Sequence, residues 1–178
     1  MICKETQTCF FRALASPLDV HCSRKDLCIE FCDQRSDAAC TEKGKTYHLL
    51  NTKGDRHKIL SVHIDGGAVV TDKQTPPNVS KCDYLYLVDT AEKPMAVLIE
   101  LKGKKFLKAV DQIQNTLDLF RDAFDRCGKV YGRIVFAGGT PNIRNIPSVM
   151  SLTRALKRRG GGLEVGERMT DKIEDLLG

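Results

Sequence analysis

The sequence predicts an α/β fold, with a central mixed β-sheet flanked by helices. Three observations carry that reading. From residue 58 onward the elements follow the order strand, strand, strand, helix, strand, helix. Met95 to Leu101 (MAVLIEL) is an apolar run broken by a single acid, the mark of a strand buried on both faces in the middle of a sheet. Phe106, Val110, Ile113, Leu117, Phe120 and Phe124 step by four, three, four, three and four, which draws one apolar stripe along a helix.

Each element has its own punctuation. Lys58 to Ile64 is rich in β-branched and apolar residues and stops at Asp65-Gly66-Gly67, a turn signal. Gln74 to Ser80 contains Pro76, Pro77 and Asn78 and reads as loop, and Cys82 to Val88 reads as strand. Thr90 to Pro94 is a turn, so the strands on either side form an antiparallel pair. The helix is expected over Lys104 to Arg126, roughly 35 Å at 1.5 Å per residue, with Cys127-Gly128 as its stop. Val130 to Phe136 is the next strand, and it should lie parallel to its predecessor across the helical crossover. Ser148 to Arg159 is helical and ends at Gly160 to Gly162; Leu163 to Val165 is a short edge strand, and Thr170 to Leu177 a final helical turn or two.

The first 57 residues are less regular. Leu27 to Phe31 fits strand or helix, and Asp33 to Lys45 is polar and reads as irregular. This segment, 1–57, is expected to pack as a Cys-rich unit on a core formed by 58–178. With 178 residues the chain is long enough for one domain with a real core. No apolar run approaches the roughly 18 residues that span a bilayer, and the N-terminus lacks a secretory h-region. The expectation is a soluble, cytoplasmic protein without a membrane partner.

The net charge of +5 permits a polyanionic partner without requiring one. The placement of charge is more informative. Lys102, Lys104, Lys105 and Lys108 follow the central strand, and Arg154, Lys157, Arg158 and Arg159 lie near the end. Either run can meet phosphates; either can equally be a solvated face.

The feature that asks for chemistry is Val97-Leu98-Ile99-Glu100-Leu101-Lys102. Glu100 and Lys102 stand two apart on a core strand and so share a face. Burying a carboxylate or an ammonium is costly unless it is paired or metal-bound. A salt bridge at the strand's end would satisfy that rule, but Asp83 opens the preceding strand and comes to the same end of the hairpin. Two converging carboxylates suit magnesium or manganese, which complete their shell with water and phosphate oxygens.

Asp83, then 16 residues, then Glu100-Leu101-Lys102, resembles the D…(D/E)xK signature of the PD-(D/E)xK nuclease superfamily, which includes restriction endonucleases, Holliday-junction resolvases and RecB-like domains. The likeness covers about residues 58–137. Lys81-Cys82 stands where the family often has proline. The resemblance implies a restriction endonuclease-like core and a magnesium-dependent hydrolase. Asp83, Glu100 and Lys102 would be catalytic, Asp83 and Glu100 would bind the metal, and the substrate would be DNA more than RNA. RecB-like members carry a glutamine on the long helix, which points to Gln112, with Gln114 as the competitor. Asp65 is a candidate third metal ligand or a plain turn residue, and Glu30 is matched to an acid the family places on an N-terminal helix. Lys104, Lys105 and Lys108 would grip nucleic acid, and a homodimer or partner protein would position a second strand. Restriction, anti-phage defence or repair would be the setting. The alternative is a catalytically inactive module that binds nucleic acid or protein on the same fold.

Six of the eight cysteines fall in the first 40 residues. Cys22, Cys28, Cys32 and Cys40 are spaced C-x5-C-x3-C-x7-C beside His21, unlike the paired C-x2-C of a zinc ribbon. They are candidates for a structural zinc or iron–sulfur site, against buried thiols packed as small apolar groups. His57 and His63 are assigned no role.

Overall fold

The computed structural model describes residues 29–65, 79–103, 105–136 and 145–178. The described elements are β1 (Ile29–Asp33), β2 (Asp37–Glu42), β3 (Lys45–Leu50), β4 (Ile59–His63), β5 (Tyr84–Val88), β6 (Met95–Lys102), α1 (Phe106–Leu119), α2 (Arg121–Phe124), β7 (Lys129–Phe136), α3 (Pro147–Lys157), β8 (Leu163–Gly166), β9 (Met169–Lys172) and α4 (Ile173–Leu177). Cys22, Cys28, His21 and Lys104 lie outside the described residues, as does the helical spacing of Cys9 to Leu18.

Strands β1, β4, β5, β6, β7 and β8, in that order, form a six-stranded mixed sheet. β4, β5 and β6 make the expected antiparallel meander, and β7 runs parallel to β6 after the α1 crossover. Every residue of β6 up to Leu101 is buried, as a central strand covered on both faces requires. One face is covered by α1 and α3, whose buried side chains (Val110, Ile113, Leu117, Leu152, Leu156) pack on Leu85, Leu87, Ala96 and Leu98. On the other face Tyr86, Val97 and Ile99 pack on Tyr47 and Leu49 of a second sheet, β2-β3-β9.

That second sheet corrects the reading of Asp33 to Lys45. The segment is a β-hairpin, with Glu42 opposite Lys45 across a two-residue turn. Lys43 (φ 49°) and Gly44 (φ 73°) are both left-handed, which is the geometry that follows the natural twist of two paired strands. Alternate burial of Ala38 and Cys40 shows why a polar segment can still be a strand: only one face meets the core. Likewise Met169–Lys172 is a strand, parallel to β3, and only Ile173–Leu177 is helical. The long helix is also shorter than its apolar stripe. It ends at Phe120, whose φ of −112° and ψ of 30° leave the helical region; α2 then resumes, so Phe120 and Phe124 both stay in the core.

α3 stops where the glycines predict. Gly160 is left-handed (φ 70°), its N–H reaches the Lys157 carbonyl, and the Gly161 N–H reaches the Leu156 carbonyl, a Schellman closure. Gly161 also sits so close to Val130 that an added Cβ would fall 1.9 Å from its carbonyl oxygen. A buried polar knot joins the two sheets. Asp171 of β9 accepts from the Tyr47 hydroxyl (2.8 Å) and from Arg133 Nε of β7 (2.5 Å), and Arg133 also donates to the Gly132 and Gly162 carbonyls. The Lys129 ammonium and the Tyr131 hydroxyl cap the carbonyls at the end of α4.

Removing one member of such a knot strands the others without partners. Arg133→Ala is expected to cost about 3 kcal/mol, which lowers Tm by about 6–12 °C in a chain of this size. Thermal unfolding followed by circular dichroism checks this, and a loss of under about 1 °C would show that the knot does not hold the sheets together.

Candidate metal and phosphodiester site

The site lies at the end of the sheet where β6 finishes. Tyr84 stands opposite Ile99, so the antiparallel register carries Asp83 opposite Glu100. Glu100 continues the row of Ala96 and Leu98 and is fully buried. Neither of its oxygens accepts a well-formed hydrogen bond from a described group; Oε1 is met only by the Lys102 ammonium, as an ion pair at 2.5 Å. Lys102 is at the mouth, with its side chain one-fifth exposed. Asp83, 4% exposed, accepts the Leu101 N–H on Oδ2 at 2.7 Å. Asp83, Glu100 and Lys102, expected together from sequence, are therefore neighbours.

The two acids are electrostatically uncomfortable. Burial, then repulsion by Asp83, pushes the Glu100 carboxyl up to about 8 against the opposing pull of Lys102. Burial pushes Asp83 up to about 6, partly offset by the Leu101 N–H. A positive charge between the two carboxyls would relieve both. Glu100 has two buried oxygens without a proper donor, and Asp83 stands across from it. Among the described residues no group of three or more His, Cys, Asp or Glu side chains is arranged to hold a metal. Two carboxylates are, however, the number magnesium uses when water and phosphate oxygens supply the rest.

Behind the acids, α1 is strapped to the chain that enters β5. Gln112, 2% exposed, donates from Nε2 to the Lys81 carbonyl at 2.6 Å. One turn on, Thr116 Oγ1 accepts the Cys82 N–H at 2.9 Å and donates to the Gln112 carbonyl. Asn115 reaches the Ser80 carbonyl. Residues 80–82 are thus held from one helix, and Asp83 follows directly. Of the two glutamines weighed from sequence, Gln112 is at the site; Gln114 pairs with Asp118 near the surface. Gln112 supports Asp83 through the backbone, and its Oε1 has no partner among the described residues.

The structure adds an acid that sequence reading missed. Glu42, at the tip of the β2–β3 hairpin, stands near enough to Asp83 for the two carboxyls to affect each other's charge. Burial raises the Glu42 carboxyl, but Lys43, 2.6 Å away, and the field of Lys102 hold it below its ordinary value. A segment read as irregular offered no way to place this residue; the Lys43-Gly44 pair was the available signal of a hairpin tip.

Other candidates are placed differently. Asp65 lies on the same rim, since the neighbouring Ile64 N–H donates to the Asp83 carbonyl. Its side chain is exposed, though, and no described interaction joins it to Asp83 or Glu100. Glu30 is on strand β1, not on a helix, and accepts the Ser61 hydroxyl at 3.3 Å. Lys105 and Lys108 are exposed at the start of α1. In the second basic run Arg159 is tied to Asp125 at 2.7 Å, while Arg154, Lys157 and Arg158 are exposed. Cys32 packs against the helix-side core and Cys40 in the core on the opposite face of the main sheet. The two thus pack in separate clusters on the two faces of the main sheet, and no group of three or more metal-binding side chains is found among the described residues. Burial pushes the Cys40 thiol up to about 12. His57 Nδ1 bonds the Asp89 carbonyl, and His63 stacks on Tyr84.

The raised carboxyls have a consequence for stability. A folded acid that holds its proton more tightly than the unfolded chain loses stability as pH rises. For Glu100 the window runs from its ordinary 4.5 to about 8. With EDTA present, the unfolding free energy should fall across that window by an amount on the order of a few kcal/mol. Glu100→Gln should flatten the fall and leave the variant more stable than wild type at pH 9. Urea midpoints measured from pH 4 to 9 decide it, and parallel profiles for the two proteins would exclude the effect. Compared with family models, with curated proteins and with solved structures, the chain finds no match in any of the three.

Proposed function

We propose that this chain is a magnesium- or manganese-dependent nuclease of the PD-(D/E)xK type that hydrolyses phosphodiester bonds in DNA. The observation that carries the proposal is the fully buried Glu100 facing Asp83, with Lys102 of the same strand on its carboxylate. A metabolically idle salt bridge would not call for a second carboxylate that raises the cost of the first. The meander followed by a parallel strand through α1 supports a restriction endonuclease-like core.

In this reading Asp83 and Glu100 hold the cation. When bound, a divalent cation lowers the pKa of a coordinated water and stabilises charge on the phosphoryl oxygens. The rest is done by the chain. The Leu101 N–H fixes one oxygen of Asp83, and the Gln112–Thr116 strap fixes the backbone before it, so both carboxylates are pre-set rather than searching for their geometry. Lys102, at the mouth, orients the attacking water and offsets the charge that grows on the phosphate. Lys105 and Lys108 face solvent beside it and can hold neighbouring phosphates.

The test is cleavage of plasmid and oligonucleotide DNA with magnesium or manganese, set against EDTA. Wild type should cut only with metal. Asp83→Ala, Glu100→Ala and Lys102→Ala should each be slower by at least about 100-fold, and Gln112→Ala by roughly tenfold, with folding verified by circular dichroism. A wild type that retains DNA in a salt-dependent way but never cuts would mark a catalytically inactive binding module instead. Three variants that cut as well as wild type would end the nuclease proposal.

A further inference from the structure

A second polar feature stands on the same edge of the molecule, on the face away from α1. β6, β7 and β8 are parallel, so β8 ends on the edge where Lys102 ends, and the turn at Glu167 and Arg168 follows there. β9 then runs back parallel to β3 from Met169 opposite Tyr47. The β2–β3 tip therefore lies on this edge too, which agrees with the nearness of Glu42 to Asp83. Between the tip and the turn is an open groove of about 410 Å³, lined among others by Lys45, Thr46, His48, Glu167, Arg168 and Thr170. His48 is held by Asp37 at 3.0 Å. The side chains of Lys45 and Arg168, by contrast, make no hydrogen bond or ion pair with another described residue.

We infer that this groove is the track for the nucleic-acid strand, in which Lys45 and Arg168 take successive backbone phosphates while Thr46 and Thr170 offer hydroxyl donors. The inference rests on the nuclease reading for its choice of polyanion. Two cationic side chains with no described side-chain partner, flanked by two threonine hydroxyls, fit a flexible chain of phosphates. The groove is lined by Gly44 and Lys45 of the hairpin tip, which shares its edge of the molecule with the end of β6, so a strand lying in it runs along the edge that carries Glu100 and Lys102. Exposed Lys105 and Lys108 lie beyond the acids, on the helix side.

The experiment is fluorescence anisotropy of a labelled oligonucleotide with the full chain in EDTA, over a series of salt concentrations. Lys45→Gln with Arg168→Gln should weaken binding about tenfold and reduce the slope of log affinity against log salt by about 2. Lys45→Arg with Arg168→Lys should restore both. Lys53→Gln with Lys93→Gln removes the same charge from exposed positions at the opposite end of the strands and should leave binding within about twofold of wild type. Equal losses in the two Gln pairs would overturn the inference, since net charge alone would then explain them. Failure of wild type to bind any oligonucleotide would overturn it as well. Because binding is read without metal, the two proposals separate. A protein that binds through Lys45 and Arg168 but never cuts keeps the groove and loses the nuclease reading. A protein that cuts but binds equally well without both cations keeps the nuclease reading and loses the groove.

Discussion

A carboxylate buried inside a β-sheet, with too little around it to balance its charge, is the constraint around which this molecule is organised. Glu100 occupies a strand buried on both faces, where an apolar residue would cost nothing. The ammonium two residues along and the Asp83 backbone N–H favour its charged form, but burial and the Asp83 carboxylate outweigh them. A protein that keeps this arrangement gives up stability at neutral pH, a common property of sites shaped for binding or chemistry rather than for packing.

The surroundings are stiff where the acids need it. Asp83 lies just ahead of β5, where an unsupported chain would be free to swing. Three side chains on one face of α1, Gln112, Asn115 and Thr116, take hold of the three residues before it. The apolar stripe of α1 anchors that helix on the sheet, so the position of the acid is set by the hydrophobic core. The second sheet serves a related purpose from the other face. Its attachment through Tyr47, Arg133 and Asp171 fixes the β2–β3 hairpin, and the hairpin brings Glu42 and Lys45 to the same edge as Arg168 of the β8–β9 turn. Two layers built for burial thus converge on one polar rim.

The cysteines illustrate how spacing along the chain can mislead. Cys32 and Cys40 are eight residues apart, yet a six-stranded sheet separates their side chains. Cys40, Cys82 and Cys127 are buried, and burial raises all three thiols well above the ordinary range. They behave as small apolar residues with inert sulfur. The described part of the cysteine-rich segment thus contributes to the fold by packing.

How much was legible follows from what each signal measures. Periodicity reports the burial of one face by long, regular elements. It therefore revealed the meander, the crossover helix and the parallel strand after it, and the acid–acid–lysine set stood out against an apolar strand. Periodicity is blind to short strands with one wet face. Asp37–Glu42 and Met169–Lys172 look polar because half of each faces solvent, and the Lys43-Gly44 turn lacks the Asn or Asp that usually announces it. From sequence by itself came the α/β class, the order of the main sheet's central strands and the pairing of Asp83 with Glu100 and Lys102, because these depend on local pattern and on one short turn. Only the tertiary structure decided that a second sheet covers the far face, that Glu42 joins the acids, that Gln112 holds Asp83 through the backbone, and that Cys32 and Cys40 part. Each of those is a contact between segments far apart in the chain, set by how layers stack, and no local pattern encodes the stacking.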